Sequence, residues 1–177
     1  MPPEPGTWHA AAMTTFAVTA VGADAPGEVA SLAEALAGLG ANLEDASMTR
    51  LRGHFAMTLV ASVEAGQRDV EAALRPVSDA SGLHISVWSV DADAPPPAVA
   101  RPWRVTLHGA DRPGIVAGVA RELASRGANI TDLSCRLVGD LYVMTLEVDA
   151  ADRPGLDDVA ARLGVTLHVA PADEDVL

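Results

Sequence analysis

Asp111-Arg112-Pro113-Gly114-Ile115-Val116 sets a carboxylate and a guanidinium just ahead of a helix start. Val116, Val119, Ala120 and Leu123 recur at i, i+3, i+4 and i+7, the spacing of one apolar helix stripe. Asp111 is suited to cap that helix, and Pro113 to sit in its first turn, where its missing N–H costs nothing. Gly127 predicts a left-handed C-terminal cap. Upstream, Val105, Leu107 and Gly109 alternate as in a strand with one buried face, and Ile130 opens the next strand. A strand thus feeds a helix N-terminus, whose free N–H groups and dipole favour a carboxylate or phosphate. Two readings of Asp111 stand: a cap alone, or a cap that also meets a ligand. The second needs a carboxylate not consumed by the Gly114 N–H. The same tetrapeptide recurs at Asp152-Arg153-Pro154-Gly155, so it reads as a generic cap.

The elements around this loop occur twice. Val18 to Asp45 repeats Val105 to Asp132 without a gap, at an offset of 87 residues (111 − 24 = 87). Gly22, Asp24, Pro26-Gly27, Leu36, Gly40-Ala41-Asn42 and Asp45 all recur, and the stripe returns as Val29, Leu32, Ala33 and Leu36. Each copy continues with a strand (43–51 or 130–138), a tight turn and a third strand (55–63 or 141–148). A helix follows, with stripe Val70, Ala73, Leu74, Val77 or Leu156, Val159, Ala160, Leu163. Pro76 lies inside the first of these helices and is expected to kink it or end it early. Leu83-Ile85-Val87 and Val165-Leu167-Val169 close the copies.

The fold class is α+β: two tandem ferredoxin-like βαββαβ domains, with antiparallel sheets and helices on one face. The expected boundaries are a flexible tail at 1–12, domains at 13–91 and 102–171, a Pro-rich linker at 92–101 and an acidic tail at 172–177.

With G-x-D-x-P-G after the first strand and G-A-N-[IL] before the second, the chain resembles the ACT domain family. More narrowly it is similar to tandem-ACT proteins related to the glycine cleavage system transcriptional repressor. The residues that carry this are Gly109, Asp111 to Ile115, Gly127 to Ile130 and Met144, and Gly22, Asp24, Pro26-Gly27, Gly40 to Leu43 and Met57. The resemblance implies a regulatory module rather than an enzyme, binding a small amino acid, glycine or serine, at domain interfaces. It also implies a homodimer and a partner that is a transcription factor or a metabolic enzyme. The implied ligand contacts are Asp111, Arg112, Pro113, Gly114, Ile115, Val116, Asn129 and Ile130, with Asp24, Gly27, Asn42 and Leu43 in the first copy. The first copy departs from the pattern, with Ala25 for the arginine and Glu28 for the isoleucine. Glu28 puts a carboxylate at the helix start, where it satisfies the dipole and repels an anion. A module that docks without any ligand, and a regulatory part detached from an enzyme such as a formyltetrahydrofolate deformylase, are the other readings.

Smaller signals have plain alternatives. Asn42 and Asn129 read as turn residues satisfying local backbone, or as ligand contacts. His108 and His168 fall on neighbouring strands and make half a metal site at most. His84 and Trp88 share the equivalent face of copy one, where an exposed Trp marks an interface. Cys135 reads as a small strand filler. Net charge is −12 with pI about 4.6. That opposes direct contact with nucleic acid or an anionic membrane. All twelve basic residues are arginine, so no phosphate loop with its lysine exists. No triad spacing, cofactor motif or secretion signal is recognisable, and no apolar run reaches the ~18–20 residues of a membrane span. A non-enzymatic cytoplasmic protein without a cofactor is the expectation.

Overall fold

The computed structural model describes residues 13–91 and 101–172. The expected tail at 1–12, all but the first residue of the expected tail at 172–177, and most of the expected linker at 92–101 lie outside them. The chain forms two compact units, Met1–Ala94 and Pro95–Leu177.

The first unit runs β1 (Thr14–Ala23), α1 (Glu28–Ala37), β2 (Asn42–Leu51), β3 (His54–Val63), α2 (Gln67–Ser81) and β4 (His84–Val90). The second runs β5 (Arg101–Ala110), α3 (Ile115–Ser125), β6 (Asn129–Val138), β7 (Leu141–Ala150), α4 (Asp157–Leu163) and β8 (Thr166–Pro171). The sheets are antiparallel, with orders β2-β3-β1-β4 and β6-β7-β5-β8. This is βαββαβ twice, as the periodicity predicts. Even the register shift on the second strand recurs, between Leu43 and Asp45 and between Ile130 and Asp132.

Alternation decides which strand face is buried. Phe16, Val18 and Ala20 of β1 meet Phe55, Met57 and Leu59 of β3 under Leu32, Leu36, Val70 and Leu74 of the helices. Val105, Leu107, Met144, Leu146 and Val148 pack likewise under Val119, Leu123 and Val159. Glu122 accepts bonds from Arg126 at 2.8 Å and Arg162 at 3.3 Å, tying α3 to α4. The edge strands β2 and β6 are different. Every residue of β2 is exposed, as is all of β6 but half-buried Ile130. Among the described residues, no helix is long and apolar enough to cross a membrane.

Four local expectations are corrected. Pro76 neither stops nor shortens α2, which continues to Ser81. Its lost bond and ring clash cost roughly 3 kcal/mol. Burying Val70 and Leu74, each 1% exposed, returns about 1.5–3 kcal/mol apiece. Secondly, the buried stripes are Ile115, Val119, Leu123 and Glu28, Leu32, Leu36, while Val116 and Val29 face outward. Thirdly, neither Asp111 nor Asp24 caps a helix. Gly114 and Gly27 are the N-caps, with no side-chain cap bond, and Pro113 precedes the first turn. Lastly, Asp152 to Gly155 cap nothing: α4 starts after Leu156, which is 1% exposed and anchored in the core. Gly127 does close α3 in the left-handed region, with the Ala128 N–H reaching the Leu123 carbonyl at 3.0 Å.

Candidate functional site

The β5–α3 loop is held from below and open above. Ile115, 2% exposed, pins the first turn of α3 into the core. Gly114 ahead of it has φ 93°, and a Cβ there would meet nothing within 4 Å. The first helical bond runs from the Gly118 N–H to the Gly114 carbonyl at 2.8 Å, so the earlier N–H groups of the turn lack intrahelical partners.

Asp111 meets the condition a ligand contact requires. Its carboxylate is exposed and makes no cap bond to the helix start. It lies close enough to Tyr142 to act on it. The Tyr142 hydroxyl is pushed up to about 12 by burial first, then by the Cys135 thiol and by the charge of Asp111. Sequence reasoning missed this grouping because Asp111, Cys135 and Tyr142 sit on a loop and two strands. The signal that could find it is register: Tyr142 stands opposite both Gly109 and Leu137. Cys135 itself is an exposed free thiol on the edge strand, not a filler.

Arg112 is occupied elsewhere. Its guanidinium donates to the Leu163 carbonyl and, at 3.3 Å, to the Gly164 carbonyl. Those are end carbonyls of α4, where a cation is favoured by the helix dipole. Arg112 therefore staples the loop to α4, and Pro113 stands exposed between staple and helix.

Asn129 and Ile130 lie far from this loop. Asn129 pairs with Asp149, which pairs with Pro102, whereas the loop leaves the sheet beyond Gly109. Seven strand residues (109 − 102 = 7) separate the two ends, roughly 23 Å at about 3.3 Å per residue. One domain does not bring Asn129 and Asp111 to the same small ligand. Asn42 and Leu43 stand at the same far end of the first sheet, Asn42 opposite Ser62.

The first copy's loop differs in its chemistry. The Asp24 carboxylate lies 3.4 Å from Arg50 Nη1, and its backbone N–H donates to the Gly53 carbonyl at 3.1 Å. Gly27 repeats the left-handed cap at φ 100°. Glu28 takes the place of Ile115 and is only 7% exposed. The repeated Gly22 and Gly109 have a packing cause: a Cβ would meet Leu83 Cδ2 at 2.7 Å or Val165 Cγ1 at 2.8 Å. His108 and His168 stand opposite Thr166 and Thr106, one on each strand. The described residues hold no group of three or more metal-binding side chains. Trp88 is 42% exposed on the strand face away from the helices, opposite Ala17.

Comparison with known proteins gives two matches to models of the ACT domain, over residues 14–88 and 103–164. A UPF0237 protein of Methanopyrus kandleri is 40% identical over 77 residues, covering 39% of this chain and 86% of that protein. A UPF0237 protein of Pyrobaculum aerophilum is 38% identical over 77 residues, with the same coverage. Among solved structures, an unknown protein from Galdieria sulphuraria superposes with TM-score 0.75 at 27% identity, over 91% of this chain and 99% of that one. A protein assigned to the glycine cleavage system transcriptional repressors superposes with TM-score 0.66 over 89% of this chain and 96% of its own. At 16% identity the latter likeness shows the fold alone.

Proposed function

The chain belongs to the ACT-domain family, and from that premise we propose that it is a non-enzymatic regulatory protein whose second domain senses a small amino acid. The observation that carries this reading is the pairing of an unblocked helix start at Gly114 with the uncommitted carboxylate of Asp111. The ligand's carboxylate would take the free N–H groups of Ile115 and Val116. Its ammonium would meet Asp111. Arg112 and Pro113 serve here as the support that holds the loop in place. A small side chain, as in glycine or serine, suits a site with the half-buried Tyr142 as its neighbour.

Asn129 enters from a second copy of the chain. Antiparallel pairing of two β6 edges sets the first residue of one strand beside the last residue of the other. Asn129 and Ile130 of one protomer then approach the Asp111 loop of its partner. The exposed edge strand is the feature that supports a homodimer of this kind.

Binding is tested by calorimetry with glycine and serine on the full chain and two variants. Asp111→Asn should weaken binding by roughly tenfold, the scale of one charge-assisted hydrogen bond. Val116→Glu, which places a carboxylate on the exposed side of the first turn, should remove it. Parental affinity in both variants would place the ligand elsewhere.

A second reading, docking to a transcription factor or enzyme without a ligand, draws on the first copy. There Asp24 is engaged by Arg50 and a carboxylate occupies the helix start. Loss of the calorimetric signal in the parent protein itself would favour it.

A further inference from the structure

The two sheets differ on their open faces, away from the helices, at positions matched by the repeat. One row across the second sheet reads Ala170, Arg104, Glu147, Asp132. Arg104 and Glu147 meet there at 3.6 Å in contact with water. The same row of the first sheet reads Trp88, Ala17, Val60, Asp45. Arg136 and Asp149 of the second face likewise stand where the first has Thr49 and Ser62. Asp45, on the edge strand, is the one carboxylate at a paired position of the first face. Trp88 is 42% exposed on it, and the next row, Ser86, Thr19, Thr58, Ser47, is uncharged.

Charge and area both fit a second copy of this chain as what covers that face. The net charge of −12 opposes contact between copies, and this face brings one carboxylate from each. Strands β1, β2 and β3 are ten residues long and β4 is seven. At about 4.8 Å between strands and 3.3 Å per residue the face measures roughly 600 Å², or about 1,200 Å² for two copies. A specific interface needs about 1,000 Å² in total.

The face is also complementary to itself. A two-fold axis along the strands, between β1 and β3, exchanges β1 with β3 and β4 with β2, laying four strands on four. Ala17 then meets Val60, Thr19 meets Thr58, and Trp88 of each copy meets Asp45 of the other. The indole N–H is a donor and the carboxylate an acceptor, so the one charge of the face is satisfied as it is covered. Sheets packed in this aligned manner cross at about 30° because each is twisted.

We propose that the open face of the first sheet packs on the same face of a second copy, with Trp88 and Asp45 exchanged across the two-fold axis. The edge pairing proposed above uses β6 of the second domain, so the two contacts are tested apart.

The test is sedimentation of the full chain and its variants. Thr58→Glu, at the centre of the face, should halve the mass of the assembly, and Thr145→Glu, the matched change on the second face, should leave it unchanged. Trp88→Ala alone should weaken association at least about tenfold, as for a buried aromatic anchor. Trp88→Ala, Ala17→Arg and Val60→Glu together give the first sheet the row that the second already carries. That variant should also halve the mass, and it decides the matter if Thr58→Glu does not fold. A parent that sediments as a monomer overturns the proposal and leaves the face to a different protein. So does an assembly that a folded Thr58→Glu or the triple variant leaves intact, that Trp88→Ala leaves at parental strength, or that Thr145→Glu dissociates as well.

Discussion

At the scale of single residues, the two copies differ where chemistry is at stake. Tyr142 replaces Phe55, Cys135 replaces Met48, and Ile115 stands where Glu28 stands. Tyr142 is the sole tyrosine of the chain, so its ionisation can be followed directly by ultraviolet absorbance. Its midpoint should lie near 12 in the native protein and near 10 after unfolding. The folded state holds the phenol proton more tightly than the unfolded chain, so the stability this lends is complete below pH 10. It drains away as pH rises from 10 toward 12. Asp111→Asn should lower the native midpoint; an unchanged midpoint would separate Asp111 from the tyrosine. At Glu28, 7% exposed where the second copy buries Ile115, replacement by isoleucine should raise the first domain's stability by about 1 kcal/mol or more through added apolar burial, read as a higher urea midpoint. A loss of stability would mean that the carboxylate's place at the helix start outweighs that burial. None of these environments was legible in the sequence. Burial of Glu28 depends on where the first turn of α1 begins, and an apolar stripe drawn from Val29 points it outward.

At the scale of elements, nearly everything was legible. The gapless repeat and the change from period 2 to period 3.6 placed all twelve elements, most ends within a residue or two, while α2, β4 and β5 run three or four residues further than the pattern marked. What failed was capping. A helix that begins at a glycine with φ near 100° needs no side-chain cap, and so the aspartates ahead of it were left free for other contacts. Pro76 failed as a stop signal because α2 buries enough apolar surface to carry it. The glycine two residues before each aspartate looked like part of the ligand loop, yet it is explained by the close approach of the turn that enters the last strand. Gly109→Ala should therefore cost about 1–3 kcal/mol by overpacking against Val165, with thermal denaturation as the measurement. A neutral effect would show that Val165 gives way freely and that packing does not require the glycine.

At the scale of the whole molecule, a domain that is complete as a fold carries an incomplete site. The loop that offers a helix start and a carboxylate lies roughly 23 Å of strand from the asparagine expected to join it. The sequence puts both motifs within twenty residues of each other, and only the direction of α3 across the sheet separates them. If a second copy pairs along the exposed edge strand at the asparagine end, as proposed, ligand binding and dimer formation should reinforce one another. The most direct test is a thermal-shift screen of the full chain against the twenty amino acids. A native-state ligand at about ten times its Kd adds roughly 1.4 kcal/mol, several degrees of Tm for a domain of this size. A rise of about 5 °C or more with glycine or serine, lost in Asp111→Asn, is the predicted result. No rise with any amino acid, or a rise that Asp111→Asn leaves intact, would contradict it.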